Sequence, residues 1–145
     1  NGNLQVRWLP YLSDWNEVFQ GVGGYPSFVI NNEFAVQVQE GEQVYSMTDW
    51  SDQPRSALGT TSSGQLVFAV ADGRNSLSNG IFNIDWAEFL SEEFNLTEGI
   101  GLDGGGSSTL VVQDCWINDV VNFPSDSVEF SHEGARAVGS GLYLR

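Results

Sequence analysis

The sequence predicts an α+β fold, with a mixed, mostly antiparallel sheet and one main helix packed on it, over a chain of 145 residues read as a single domain. Three observations carry this. The run Gln65-Leu66-Val67-Phe68-Ala69-Val70-Ala71 has the apolar density of a largely buried strand. Residues 84–94 place Trp86, Phe89, Leu90 and Phe94 on an apolar stripe, and no other stretch supports a helix of that length. Asn31-Asn32 separates two β-type runs, Ser27-Phe28-Val29-Ile30 and Phe34-Ala35-Val36-Gln37-Val38, as a hairpin turn would.

The remaining elements follow from turn and cap chemistry. Ser13 and Asp14 can cap a brief helix running through Val18 and Phe19, which Gly21, Gly23, Gly24 and Pro26 stop. Residues 40–53 are polar and acidic and read as a surface excursion. Ser62-Ser63-Gly64 turns the chain into the 65–71 strand, which Asp72 and Gly73 end. Asn83 is the expected N-cap of the main helix, with Asp85 well placed in its first turn. Ile100 and Leu102 lead into a glycine loop; a strand is expected over 109–112, then a polar connection with Trp116 and Ile117, then a terminal strand over 136–144. The expected core is Val67, Phe68, Val70, Trp86 or Phe89, Leu90, Leu110 and Val112.

Charge excludes two classes of partner. A net charge of −14 leaves no basic face for nucleic acid or for an anionic membrane surface. Lysine is absent, so Arg7, Arg55, Arg74, Arg136 and Arg145 are the only permanent side-chain cations, each a fork suited to carboxylate or phosphate. Cys115 is the single cysteine, which excludes an intrachain disulfide and reads as a small buried apolar residue. No apolar run of membrane-spanning length occurs, and the abundance of Gly, Asn, Ser and Gln with acidic excess fits an extracellular or periplasmic setting. His132, the only histidine, lies in a polar segment without the spacing of a metal site or a catalytic triad.

The stretch Leu102-Asp103-Gly104-Gly105-Gly106-Ser107-Ser108-Thr109 carries the densest chemical signal. Three glycines allow backbone N–H groups to approach a phosphate or an oxyanion closely, although a glycine-rich hairpin turn has the same composition. Asp103 could act as a general acid or base, hydrogen-bond a sugar hydroxyl, ligate a cation, or cap the turn. Structural zinc is excluded by the lack of Cys and His ligands, whereas a divalent cation held by carboxylates and carbonyls stays open.

Read in order, Gly21-Val22-Gly23-Gly24-Tyr25-Pro26, Arg55-Ser56-Ala57-Leu58-Gly59, Ala71-Asp72-Gly73-Arg74, the capped helix, Leu102-Asp103-Gly104-Gly105-Gly106-Ser107-Ser108, Phe123-Pro124-Ser125-Asp126 and Arg136-Ala137-Val138 form a set that resembles the phosphodiester glycosidase family. The resemblance covers roughly residues 18–144 and implies a hydrolase that cleaves a sugar-1-phosphodiester. It implies Asp103 as the catalytic carboxylate. Arg55 and Arg136 would clamp phosphate or carboxylate, and Asp72, Arg74, Gly104, Gly105, Gly106, Ser107, Ser125 and Asp126 would bind substrate. The family's upstream Asn-Gly-Gly-aromatic-Phe segment has no counterpart here, so the chain is expected to be the C-terminal part of a larger domain. It would then contact the missing N-terminal portion, or other copies, through the region before Tyr25, where Trp8, Leu9, Tyr11, Leu12 and Trp15 are unusually apolar. A different class of function also fits: a non-catalytic extracellular module that binds carbohydrate or self-assembles while keeping the family fold.

Overall fold

The computed structural model describes residues 21–34, 51–115, 119–126 and 131–144. The brief helix expected through Val18 and Phe19, the strand continuing past Phe34, most of the 40–53 excursion, Trp116 and Ile117, and the apolar N-terminal region lie outside the described residues.

Among the described residues there are five strands and one α-helix: β1 (Ser27–Ile30), β2 (Glu33–Phe34), β3 (Arg55–Thr61), β4 (Leu66–Ala71), α1 (Asn83–Phe94) and β5 (Leu96–Gly101). They form one sheet in the order β2-β1-β5-β3-β4. Among the described residues every pairing is antiparallel, in keeping with the α+β class and the mostly antiparallel sheet that the sequence predicts.

Local chemistry explains the connections. Asn31 and Asn32 both take positive φ, 53° and 67°, the two left-handed residues that a tight I′ hairpin between β1 and β2 requires. The β3–β4 hairpin closes through Thr61, whose N–H donates to the Gln65 carbonyl and whose carbonyl accepts from Gly64 N, both at 2.9 Å. Helix α1 ends on Asn95 in the left-handed conformation and passes directly into β5. The helix thereby lies against the sheet, packing Trp86, Ala87 and Leu90 on Phe28, Val29, Ala57 and Leu96.

Several expectations are corrected. Asn83 is the first residue of α1 and is buried; Phe82 occupies the N-cap position with no side-chain cap bond. Along the helix Trp86 and Leu90 are buried but Phe89 is 47% exposed. Phe89 sits about 100° around the axis from Leu90 and stacks on Trp86 at the edge of the core. Among the described residues β4 lies at the edge of the sheet and is half-buried throughout: Val67, Ala69 and Ala71 pack on the core while Phe68 and Val70 alternate to the opposite face. No strand forms over 109–112. Instead Val111 makes an isolated bridge to Val120, which leaves Leu110 half-buried and Val112 exposed. Nor is residues 136–144 a strand; Val138, Leu142, Tyr143 and Leu144 are exposed. Cys115 is exposed rather than buried.

Burial predicts a graded response along α1. Leu90→Ala is expected to lower the unfolding free energy by about 2–5 kcal/mol, and Phe89→Ala by clearly less, in urea titrations monitored by circular dichroism. Equal losses at both positions would show that the helix does not pack on the sheet in this orientation.

Candidate functional site

The glycine loop begins where β5 runs out against the start of β3. Leu102 N donates to Ser56 O at 2.8 Å and Gly105 N to Pro54 O at 2.9 Å, so the loop is laid along residues 54–56. It then closes into a 3-10 turn, Gly105–Ser107, through Ser107 N to Gly104 O and Ser108 N to Gly105 O. Gly104 N is taken by the Asp103 Oδ1 carboxylate oxygen at 2.9 Å. The amides of Gly104, Gly105, Ser107 and Ser108 therefore donate within the protein, and the loop is not the open N–H cradle that its composition suggested.

The glycines serve close approach instead. Gly105 has φ +58°, and a Cβ there would meet the Arg74 guanidinium at 3.0–3.2 Å. A Cβ on Gly106 would fall on the Asp126 carboxylate, which lies directly against the loop. Only glycine lets these two charged groups, one of each sign, sit on adjacent turns of backbone.

Arg136 joins the loop to the 122–126 segment. Its Nη1 donates to Asp126 Oδ2 at 3.1 Å and its Nη2 to Ser107 Oγ at 2.6 Å, while Asp103 Oδ2 lies 4.0 Å from Nη2. One guanidinium thus faces two carboxylates and a hydroxyl. Asp103 is the open end of this cluster, its side chain 81% exposed, whereas that of Asp126 is 30% exposed.

Asp103 and Gly104 also line a cleft of about 540 Å³ with Gly23, Gly24, Tyr25, Arg55, Asn83 and Leu102. The cleft is broadly open to solvent rather than enclosed. Arg55 is oriented by backbone carbonyls, donating from Nε to Ile81 O and from Nη2 to Ser51 O, each at 3.1 Å. The sequence-derived set accordingly divides. Asp103, Gly104 and Arg55 meet at the cleft, and Gly105, Gly106, Ser107, Asp126, Arg136 and Arg74 gather behind and beside it. Arg74 donates to Gln53 Oε1 at 2.7 Å. Asp72 faces inward, its Oδ1 accepting from Asn122 Nδ2 and Phe123 N at 3.0 Å each. Ser125 Oγ is buried without a hydrogen-bond partner among the described residues.

Three contributors are absent from the site residues that the sequence implies. Tyr25 and Asn83 line the cleft, and Asn122 stands just before the Phe123-Pro124-Ser125-Asp126 motif. In sequence an asparagine at a helix start reads as an N-cap, a pattern that does not distinguish it from one lining a cleft. Among the described residues no group of three or more His, Cys, Asp or Glu side chains is placed to hold a metal ion, and Asp103 and Asp126 face Arg136. His132 places Nδ1 2.9 Å from Asn122 O and stacks on Phe123. No helix among the described residues is long and apolar enough to cross a membrane.

A family model described as phosphodiester glycosidase matches residues 1–145. The chain is 41% identical over 88 residues to YomE, an SPbeta prophage-derived uncharacterized protein of Bacillus subtilis (strain 168), covering 57% of this chain and 13% of that protein. It is 33% identical over 102 residues to human N-acetylglucosamine-1-phosphodiester alpha-N-acetylglucosaminidase, covering 69% of this chain and 19% of the enzyme. Among solved structures, the zebrafish catalytic domain of the same enzyme, auto-inhibited by its pro-peptide, superposes with a TM-score of 0.52 at 25% identity, over 72% of this chain and 34% of that one. The chain thus spans 13% to 19% of the length of these curated relatives.

The close approach at Gly106 has a measurable consequence. Gly106→Ala must displace the Asp126 carboxylate and is expected to destabilise by about 1–3 kcal/mol. Gly139→Ala, with open space around its Cβ position, is expected to change stability by no more than about 0.5 kcal/mol. Thermal unfolding of the two variants side by side checks the difference.

Proposed function

The chain belongs to the phosphodiester glycosidase family, and from that premise we propose that it carries catalytic machinery of a hydrolase acting on a sugar-1-phosphodiester. One observation supports this reading above the others. A solvent-facing carboxylate, Asp103, stands 4.0 Å from an arginine and beside a cleft that a second arginine lines. Breaking the glycosidic C–O bond builds positive character on the sugar and negative charge on the departing phosphate. Asp103 in this proposal faces the anomeric carbon, where an ionised carboxylate stabilises the sugar cation and accepts the proton of the attacking water. Arg55 faces the phosphate, and Arg136 holds Asp103 and Asp126 in place while adding positive potential on the same side. A phosphate leaving group needs little help from a general acid, so no second carboxylate is assigned to protonate it.

The same proposal places the protein outside the cytoplasm and has the upstream portion of the domain, or another copy of the chain, completing the site. The rival reading, a carbohydrate-binding or self-assembling module without catalysis, draws on the aromatic surface of α1, where Phe89 and Phe94 are 47% and 41% exposed.

Kinetics of the full-length protein on the methyl diester of N-acetylglucosamine 1-phosphate separate the two. Asp103→Asn is expected to lower kcat about 10²–10⁴-fold. Arg55→Ala is expected to act chiefly by raising KM, since it removes a charge-assisted contact to phosphate. A folded wild-type protein that binds the sugar without cleaving the diester would support the module instead.

A further inference from the structure

Backbone bonds from Val121 N to Leu110 O and from Val112 N to Asp119 O join the segment that carries Asp126 to the exit of the glycine loop, and one buried amide adds side-chain ties beside them. Asn122 is 8% exposed. Its Oδ1 accepts from Leu110 N at 2.8 Å, and its Nδ2 donates to Ser108 O at 2.9 Å and to Asp72 Oδ1 at 3.0 Å. The same Asp72 oxygen accepts from Phe123 N at 3.0 Å. Three segments distant in sequence are thereby tied at one side chain: the residue after β4, the exit of the glycine loop, and the approach to Asp126. Two donors and an acceptor are needed at once, which an amide supplies and neither leucine nor a carboxylate does.

From Asn122 the chain runs through Phe123, buried Pro124 and Ser125 to Asp126. Proline fixes φ in the middle of that short path, so anchoring Asn122 limits where Asp126 can lie. Asp126 in turn rests on Gly106 and accepts from Arg136, and Arg136 reaches Asp103. We propose that Asn122 is a positioning residue for the Asp103, Arg136 and Asp126 cluster, acting through Asp126 without contact to substrate. The proposal rests on the catalytic reading of that cluster, and it extends that reading to a residue outside the cleft. Asp72, half-buried, becomes the partner of Asn122 rather than a substrate ligand.

Substitution of the amide tests this in a way that a merely structural role does not predict. In Asn122→Asp two carboxylates face each other where an amide met a carboxylate, and Ser108 O loses its donor. Uptake of one proton by the pair restores a donor between them. That proton is held more tightly folded than unfolded, so its stabilisation is present at acid pH and lost as pH rises. The titratable groups in hydrogen-bond contact with Asn122 among the described residues are Asp72 and His132; the wild type measured over the same pH range serves as the reference.

In the full-length protein acting on the methyl diester of N-acetylglucosamine 1-phosphate, Asn122→Asp is expected to lower kcat about 10- to 100-fold at neutral pH, with a much smaller change in KM. The loss should shrink as pH falls toward about 4–5, the range in which carboxylates take up protons. The guanidinium NMR resonance of Arg136 should shift in the variant and return with the proton. A folded Asn122→Asp protein with wild-type kcat, or a loss of activity with the Arg136 resonance unmoved, would overturn the proposal. If the wild type fails to cleave the diester, the catalytic reading falls, and the Arg136 resonance still decides the positioning claim: displacement supports it and no displacement overturns it.

Discussion

Two backbone hydrogen bonds, Leu102 N to Ser56 O and Gly105 N to Pro54 O, hold the candidate site to the sheet. They continue the pairing of β3 with β5 beyond the last strand residue, so the register of two central strands sets where the glycine loop begins. The helix matters for the same reason. Trp86, Ala87 and Leu90 pack on β1, β3 and β5 together, and that packing keeps β5 seated beside β3. Arg55 is itself the first residue of β3. Asp103 and Arg55 thus reach one cleft because a single pair of strands supports both.

Electrostatics act locally in a chain of net charge −14. A phosphodiester approaching so acidic a protein meets overall repulsion, but screening in physiological salt confines each charge to about 8 Å. Near the cleft the balance differs. Arg55 lines it, and Arg136 brings a guanidinium up to Asp103. The absence of lysine gives this arrangement its geometry: a planar fork contacts Asp126 and Ser107 with separate nitrogens, which a single ammonium does less selectively. An exposed ion pair contributes little stability, so this contact is better understood as orienting Asp103 and Asp126 than as holding the fold.

Some of this was legible in the residues. Asn31-Asn32 announces its hairpin because two left-handed residues in succession are rarely anything else. The 65–71 run and the 84–94 stripe were readable because periodicity reports which side of an element is apolar. What periodicity does not report is which strand ends at a sheet edge, and for that reason Phe68 and Val70 were expected in the core. The 109–112 and 136–144 segments have strand-like composition, yet their hydrogen-bond partners depend on tertiary placement that composition does not encode. At the site, the three glycines and Asp103 were visible as a loop. Their purpose was not: Gly105 and Gly106 admit Arg74 and Asp126, groups 31 and 20 residues away in sequence. Asn122 had no signal, since a buried asparagine and a loop asparagine look identical without their partners.

The proposed chemistry turns on which bond breaks. Hydrolysis of the methyl diester of N-acetylglucosamine 1-phosphate by the full-length protein in ¹⁸O-labelled water, with products resolved by mass spectrometry, tests it most directly. The expected result is ¹⁸O in the anomeric hydroxyl of the released sugar and none in methyl phosphate, as attack at carbon beside Asp103 requires. Label in the phosphate product would mean attack at phosphorus and would contradict the glycosidase assignment of the site.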